Sequence, residues 1–237
     1  MNMTIFVAEF VGTALLILLG CGVCANVNLK KSGMSGGGTV QITIGWGLAV
    51  MLPAFVFGEA SGAHFNPALT LALFVNGTIS APLLLPYFLG QFLGGFVGAC
   101  LVYALFKDHL DAEEAAAAKR GIFCTSPSIK NTSRNLLSEI IGTFVLVFTI
   151  EGLAQVPNLN AGVAKLLVFG IIVSIGMSLG GLTGYAINPA RDLAPRIAHA
   201  VLPIKGKGSS DFGYAWIPVV GPCIGGVLAS LLYKLIF

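Results

Sequence analysis

Six long apolar runs divide the chain, at residues 4–25, 40–58, 84–106, 135–154, 163–181 and 214–236. Each is close to the ~20 residues an α-helix needs to cross the hydrocarbon core of a bilayer. Two further apolar segments, 66–76 and 188–200, are too short to span, and each opens with Asn-Pro-Ala. Asn-Pro normally turns a chain, and Pro suits the first position of a helix. At membrane depth a turn survives only if it is buried in protein or lines a watery cavity. The pattern therefore predicts six spans and two re-entrant half-helices that meet around a polar path. The first run is too long for a leader core and has no basic residue before it, so it is expected to be retained as the first span.

The pattern repeats. Glu9-Phe10-Val11-Gly12-Thr13 matches Glu139-Ile140-Ile141-Gly142-Thr143 at an offset of 130. Ser61 through Ala68, which carries Asn66-Pro67-Ala68, matches Thr183 through Ala190, which carries Asn188-Pro189-Ala190, at an offset of 122. Gly90-Gln91-x-x-Gly94-Gly95 matches Gly221-Pro222-x-x-Gly225-Gly226 at 131. Three blocks in one order indicate duplication, with repeats over approximately 1–106 and 135–237 in a single channel domain. Three spans per half is an odd number, so the second half crosses in the opposite sense. Inverted repeats of this kind place a solute site near the midplane. The polar stretch 107–134 joins them and reads as a solvent-exposed loop with a single helical turn.

Composition narrows the function classes. The chain is 56% hydrophobic and 10% charged, against roughly 25% charged residues in soluble domains, and its mean hydropathy is +0.89. A net charge of +3 gives no reason to expect a nucleic-acid partner. The 31 glycines suit close helix packing in lipid. Of five cysteines, Cys21 and Cys24 form C-x-x-C inside the first span, without the polar partners of a metal or redox site. They read as packing residues, Cys100 and Cys223 as helix filler, and Cys124 as a free thiol in the linker. His64, His109 and His199 are scattered. With no nucleophile–base pair and no ligand cluster, neither an enzyme nor a metal or other cofactor is expected.

Glu9, Glu139 and Arg191 fall within the apolar sequence, where such groups are expensive and functional by default. Glu9 and Glu139 read as acceptors for the non-helical backbone before each Asn-Pro-Ala; a proton relay is the weaker reading, because neither has a paired carboxylate. Arg191 follows the second motif directly. His64 reads as a brace for its loop.

Ser61-Gly62-Ala63-His64-Phe65-Asn66-Pro67-Ala68, Asn188-Pro189-Ala190-Arg191-Asp192 and the two Glu-x-x-Gly-Thr blocks together resemble the major intrinsic protein family, the aquaporins and aquaglyceroporins, over essentially the whole chain. The resemblance implies an all-α membrane protein, six transmembrane helices plus two re-entrant half-helices around a pore, assembled as homotetramers. Asp192 after Asn-Pro-Ala-Arg, Arg196, Pro218-Val219 and Phe106 are similar to the glycerol facilitators. The filter of that subgroup is built from a Trp, a Gly, an aromatic and an Arg. Trp46 lies twenty residues before Asn66, Gly176 twelve before Asn188, Tyr185 takes the aromatic place, and Arg191 is the cation. On this resemblance Trp46 and Tyr185 form an apolar corner, Arg191 donates from the opposite side, and Gly176 leaves width.

The resemblance implies passive diffusion of glycerol and other small neutral solutes, with some water, and exclusion of ions and protons. A broader channel for urea, dihydroxyacetone, hydrogen peroxide or undissociated small acids is an alternative, and a secondary active transporter a more distant one. The expected location is a plasma membrane, as a multi-pass protein of a bacterial inner membrane. The family topology puts both termini in the cytoplasm. That leaves only Lys165 and Lys234 inside, with Lys30, Lys31, Lys107, Lys119, Arg120, Lys130, Arg134, Lys205 and Lys207 outside, against the positive-inside rule.

Overall fold

With no water in the bilayer core, each backbone N–H must bond within the protein, and apolar runs of this length satisfy that as helices. The computed structural model describes all residues, Met1–Phe237. Six spans appear: α1 (Met3–Asn28), α2 (Gly38–Ser61), α4 (Ala81–Ala112), α6 (Thr132–Gly152), α7 (Ala161–Thr183) and α9 (Ile217–Ile236). Between them lie α3 (Pro67–Val75) and α8 (Pro189–Val201), which start at the two Asn-Pro-Ala prolines, and α5 (Ala116–Phe123).

The two halves pack in matching ways. α1 lies along α4 and against α2; α6 lies along α9 and against α7. Each half-helix then packs on the last span of the other half, α3 on α9 and α8 on α4. Matched glycines permit this. A Cβ on Gly94 would lie 2.1 Å from the Phe10 carbonyl oxygen, and one on Gly225 would lie 2.1 Å from that of Ile140. Next to them, a Cβ on Gly95 would lie 3.2 Å from the Ala190 carbonyl oxygen and one on Gly226 would lie 3.0 Å from that of Ala68. The repeated Gly-Gly pairs are therefore contact points: one glycine admits the span of its own half, the other the half-helix of the opposite half.

The linker departs from expectation. α4 continues to Ala112, a helix of 32 residues that at 1.5 Å per residue runs well beyond a ~30 Å core. α5 then folds back over the bundle. Ile122 and Phe123 are buried, and buried Lys119 donates to the Lys205 carbonyl. Residues 116–125 are thus a packed cover rather than an exposed loop, because α5 has apolar side chains to bury against α1 and α8, whereas 128–134 are exposed as expected. Cys124 is a free thiol but is also buried, and burial pushes its pKa up to about 12.

Glu113 ties this cover down. Its carboxylate accepts the N–H groups of Ala115 at 3.0 Å, Glu114 at 3.1 Å and Lys30 at 3.3 Å, and faces Lys30 Nζ at 3.5 Å. These contacts, the Ala115 N–H foremost, hold its pKa below the ordinary 4.5. Its stabilisation is complete above that value and is lost as the pH falls through the lowered one.

Two outcomes are expected. Gly94→Ala or Gly225→Ala lowers the thermal midpoint in detergent, by an overpacking cost of about 1–3 kcal/mol or more, whereas Gly22→Ala, with nothing within 4 Å of the added methyl, leaves it unchanged. Below pH 4.5 the amides of Lys30 and Ala115 lose protection from hydrogen exchange (corrected for intrinsic pH dependence), and Glu113→Gln removes that pH dependence.

Candidate functional site

α3 and α8 start at the centre of the molecule, and their first residues are capped by the motif asparagines. Asn66 Oδ1 accepts the Ala68 N–H at 2.9 Å; Asn188 Oδ1 accepts those of Ala190 at 2.9 Å and Arg191 at 3.1 Å. Each amide also reaches across the symmetry axis. Asn66 Nδ2 donates to the Ile187 carbonyl at 2.8 Å, and Asn188 Nδ2 donates to that of Phe65 at 2.7 Å. A carboxamide has two N–H donors, so one on each Asn remains for whatever occupies the conduit that both residues line.

The loops entering the half-helices are strained alike. Gly62, Ala63 and Phe65 have positive φ, and so do Gly184, Tyr185 and Ile187, again at an offset of 122. For a non-glycine residue this backbone region costs roughly 1–2 kcal/mol. Buried carboxylates hold it. Glu9 accepts the N–H groups of His64 at 3.0 Å and Phe65 at 2.7 Å, the Ser61 hydroxyl at 2.6 Å and Gln91 Nε2 at 2.7 Å. Glu139 accepts the N–H groups of Ala186 at 3.0 Å and Ile187 at 2.9 Å, and the Thr183 hydroxyl at 2.7 Å. His64 bonds through Nδ1 to Thr70 Oγ1 at 3.1 Å, and its ring stacks on Tyr87 at 4.3 Å.

Two cavities meet along the axis. The narrower, about 140 Å³, is lined mainly by apolar side chains together with Asn66, Asn188 and His64. The wider, about 520 Å³, opens beside Asn28, Thr39 and Ser126. Trp46, Tyr185 and Arg191 line both, so these three form the wall between them. Trp46 sits in a slot left by Gly20, where a Cβ would lie 2.2 Å from the ring, and its indole N–H donates to Cys24 Sγ at 3.3 Å.

Two expected details are corrected. Arg191 does not face Trp46 from the opposite side; its guanidinium carbon lies 3.8 Å above the Trp46 ring centroid. Its Nη1 is buried with no partner in the protein, so the aromatic face is what stabilises the desolvated cation. Gly176 does not open the passage directly. A Cβ there would lie 2.6 Å from Thr43 Cγ2 and 2.9 Å from Tyr185 Cζ, so the space is taken by those side chains, and Gly176 lines only the wider cavity.

Asp192 and Arg196 stand apart from the conduit. All five guanidinium donors of Arg196 are used: on both oxygens of Asp192 at 2.8 and 2.9 Å, and on the carbonyls of Thr125, Ser210 and Asp211 at 2.7–3.1 Å. Asp192 also accepts the N–H and hydroxyl of Thr125 at 2.8 and 2.6 Å. The pair is fully buried and staples the segments after α5 and before α9 onto α8.

The profile of the major intrinsic protein family matches residues 1–233. The chain belongs to that family. Curated relatives include a glycerol uptake facilitator protein of Bacillus subtilis, 50% identical over 99% of this chain and 85% of the relative. Another is the glycerol uptake facilitator protein of Streptococcus pneumoniae, 51% identical over 96% of this chain and 97% of the relative. The X-ray structure of the aquaglyceroporin from Plasmodium falciparum superposes with a TM-score of 0.86 at 32% identity, covering 99% of this chain and 96% of the other.

Within this family framework, several contributors carry no motif. Gly20 and Cys24 support the Trp46 ring, and Gly180 leaves room for the Tyr185 ring, which a Cβ at that glycine would meet at 2.6 Å. Lys165 lines the narrow cavity, with Nζ 4.0 Å from Glu59. The only sequence signal for the first pair was the helical register of Gly20 and Cys24, four residues apart on one face of the first span. Glu139→Gln is expected to lower the thermal midpoint by the loss of one buried acceptor, about 1–3 kcal/mol. Because it loosens the loop rather than one wall, it should reduce permeability to water and to larger solutes by similar factors in proteoliposomes.

Proposed function

We propose that this family member is a passive channel for glycerol and other small neutral solutes, with some water. The observation that carries this is the wall of Trp46, Tyr185 and Arg191 between two cavities, one of which leads to paired asparagine donors. The names of the relatives, glycerol uptake facilitators and an aquaglyceroporin, agree with it.

The chemistry follows from the donors. A polyol has an apolar edge and a polar edge. The rings of Trp46 and Tyr185 accommodate the carbons, and the guanidinium of Arg191, which lines both cavities, donates to a hydroxyl oxygen. At the midplane the spare N–H groups of Asn66 and Asn188 take over. Each half-helix N-terminus carries a partial positive charge of about half an elementary charge, and two of them converge there. Together with Arg191 they raise the energy of any cation, a hydrated proton included, while a neutral solute loses little. Neither a cofactor nor an energy source is required.

The setting is a multi-pass protein of a bacterial plasma membrane, with both termini in the cytoplasm as the family topology has it. The homotetramer of the family, one conduit per subunit, suits spans whose outer faces expose Leu85, Leu105, Leu182 and Leu228 for neighbours or lipid.

In proteoliposomes, stopped-flow light scattering should show rapid glycerol entry that is insensitive to an imposed proton or sodium gradient, with no ionic current. Water flow without glycerol flow would sink the proposal, and gradient-driven accumulation would point to a transporter.

A further inference from the structure

Besides Arg191, Lys165 is the only Lys, Arg, Asp or Glu that lines the narrow cavity, and it stands far from the wall. Trp46, Val50 and Ala54, every fourth residue of α2, line that cavity, and Gly58 is the next position on the stripe. Gly58 lies twelve residues beyond Trp46, about 18 Å along a helix at 1.5 Å per residue. From α7, Ile172, Val168 and Lys165 line the same cavity. The Lys165 side chain reaches from this second stripe to the first. A Cβ on Gly58 would lie 2.4 Å from Lys165 Cε and 2.8 Å from Nζ. The ammonium therefore rests on the conduit-facing stripe of α2, in a slot left by a glycine, as the rings of Trp46 and Tyr185 rest in theirs.

A lysine near the end of a span normally carries its charge out to water. Here the Lys165 side chain is only 18% exposed, whereas Glu59, whose Oε1 lies 4.0 Å from Nζ, is 93% exposed. At that distance the two form no hydrogen bond. Nζ closes no hydrogen bond within the protein, and it is not sealed off from open space as Arg191 Nη1 is. An ammonium has three N–H donors, and all three are free at this end of the conduit. Most of the remaining lining is apolar, with Leu69, Leu146 and Ile150 prominent. A polyol in so narrow a space is flanked by wall rather than by water, so its hydroxyls depend on the few donors there. A water molecule keeps its bonds to the next water in file.

We infer that Lys165 is a further specificity-determining residue: its ammonium donates to polyol hydroxyls at the end of the conduit opposite the wall of Trp46, Tyr185 and Arg191, and Gly58 is the position that seats it there. The inference rests on the polyol channel proposed above. It gives the solute a cationic donor at each end of the narrow cavity, with the asparagine pair as the other donor set.

The test is glycerol and water permeability in proteoliposomes, normalised to reconstituted protein, for Lys165→Met, Lys165→Arg, Gly58→Ala and the combination of Gly58→Ala with Lys165→Met. Lys165→Met keeps an apolar stem and removes the donors. It should lower glycerol permeability about two- to tenfold, the worth of one hydrogen bond, and leave water permeability within about twofold. Lys165→Arg, which keeps the charge and the donors, should hold the glycerol-to-water ratio of the wild type. The three atoms nearest to a methyl on Gly58 all belong to Lys165, so Gly58→Ala displaces the lysine. It should lower the ratio as Lys165→Met does and add nothing to that variant. An unchanged ratio in Lys165→Met, a lowered one in Lys165→Arg, or a further fall when Gly58→Ala is added to Lys165→Met would each overturn the inference while leaving the channel intact. A wild-type protein that passes no glycerol would instead overturn the proposed function, and the inference with it.

Discussion

A non-helical backbone inside a bilayer must find every hydrogen-bond partner within the protein, and this constraint organises the molecule. Two such loops lie at the centre, each with three residues at positive φ. Neither could persist alone. Glu9 and Glu139 take up their N–H groups, and the crossed bonds from Asn66 to Ile187 and from Asn188 to Phe65 take up one carbonyl of each. The carboxylates are costly to bury, but seven accepted hydrogen bonds between them offset that cost. What results is a rigid, symmetric junction at which two helix N-termini face the same small space.

That junction sets the demands on the surrounding helices. The half-helices reach the centre only if the spans let them approach, which is why glycines recur at the contacts of α4 with α1 and α8 and of α9 with α6 and α3. The same principle operates one layer further out. Gly20 admits the Trp46 ring, and Gly176 with Gly180 admits Tyr185. The wall between the cavities is therefore made of large side chains set in slots left by small ones on neighbouring helices.

The charged residues divide into two kinds. Arg196 and Asp192 satisfy one another and three loop carbonyls, and are purely internal. Arg191, one residue before that aspartate, has no such partner; it rests on an indole face and lines both cavities. Two positions five residues apart on one short helix thus hold a saturated guanidinium and an unsaturated one. The first holds the cover in place, and the second is left available to the conduit.

Much of this was legible in the chain. Span length follows from bilayer thickness, the half-helices from Asn-Pro at their N-termini, and the inversion from an odd number of spans per repeat; all depend on local sequence or its period. The α5 cover was not, because Ala116–Phe123 has only a few apolar residues whose burial depends on α1 and α8 arriving beside them. The wall was legible in its members but not in their arrangement. That Arg191 lies on Trp46, and that Gly176 is space for Tyr185 and Thr43, are contacts between separate elements. Spacing along the sequence names such residues, but only the packing of helices from both halves decides which atoms meet, since close packing is a property of the assembled interior.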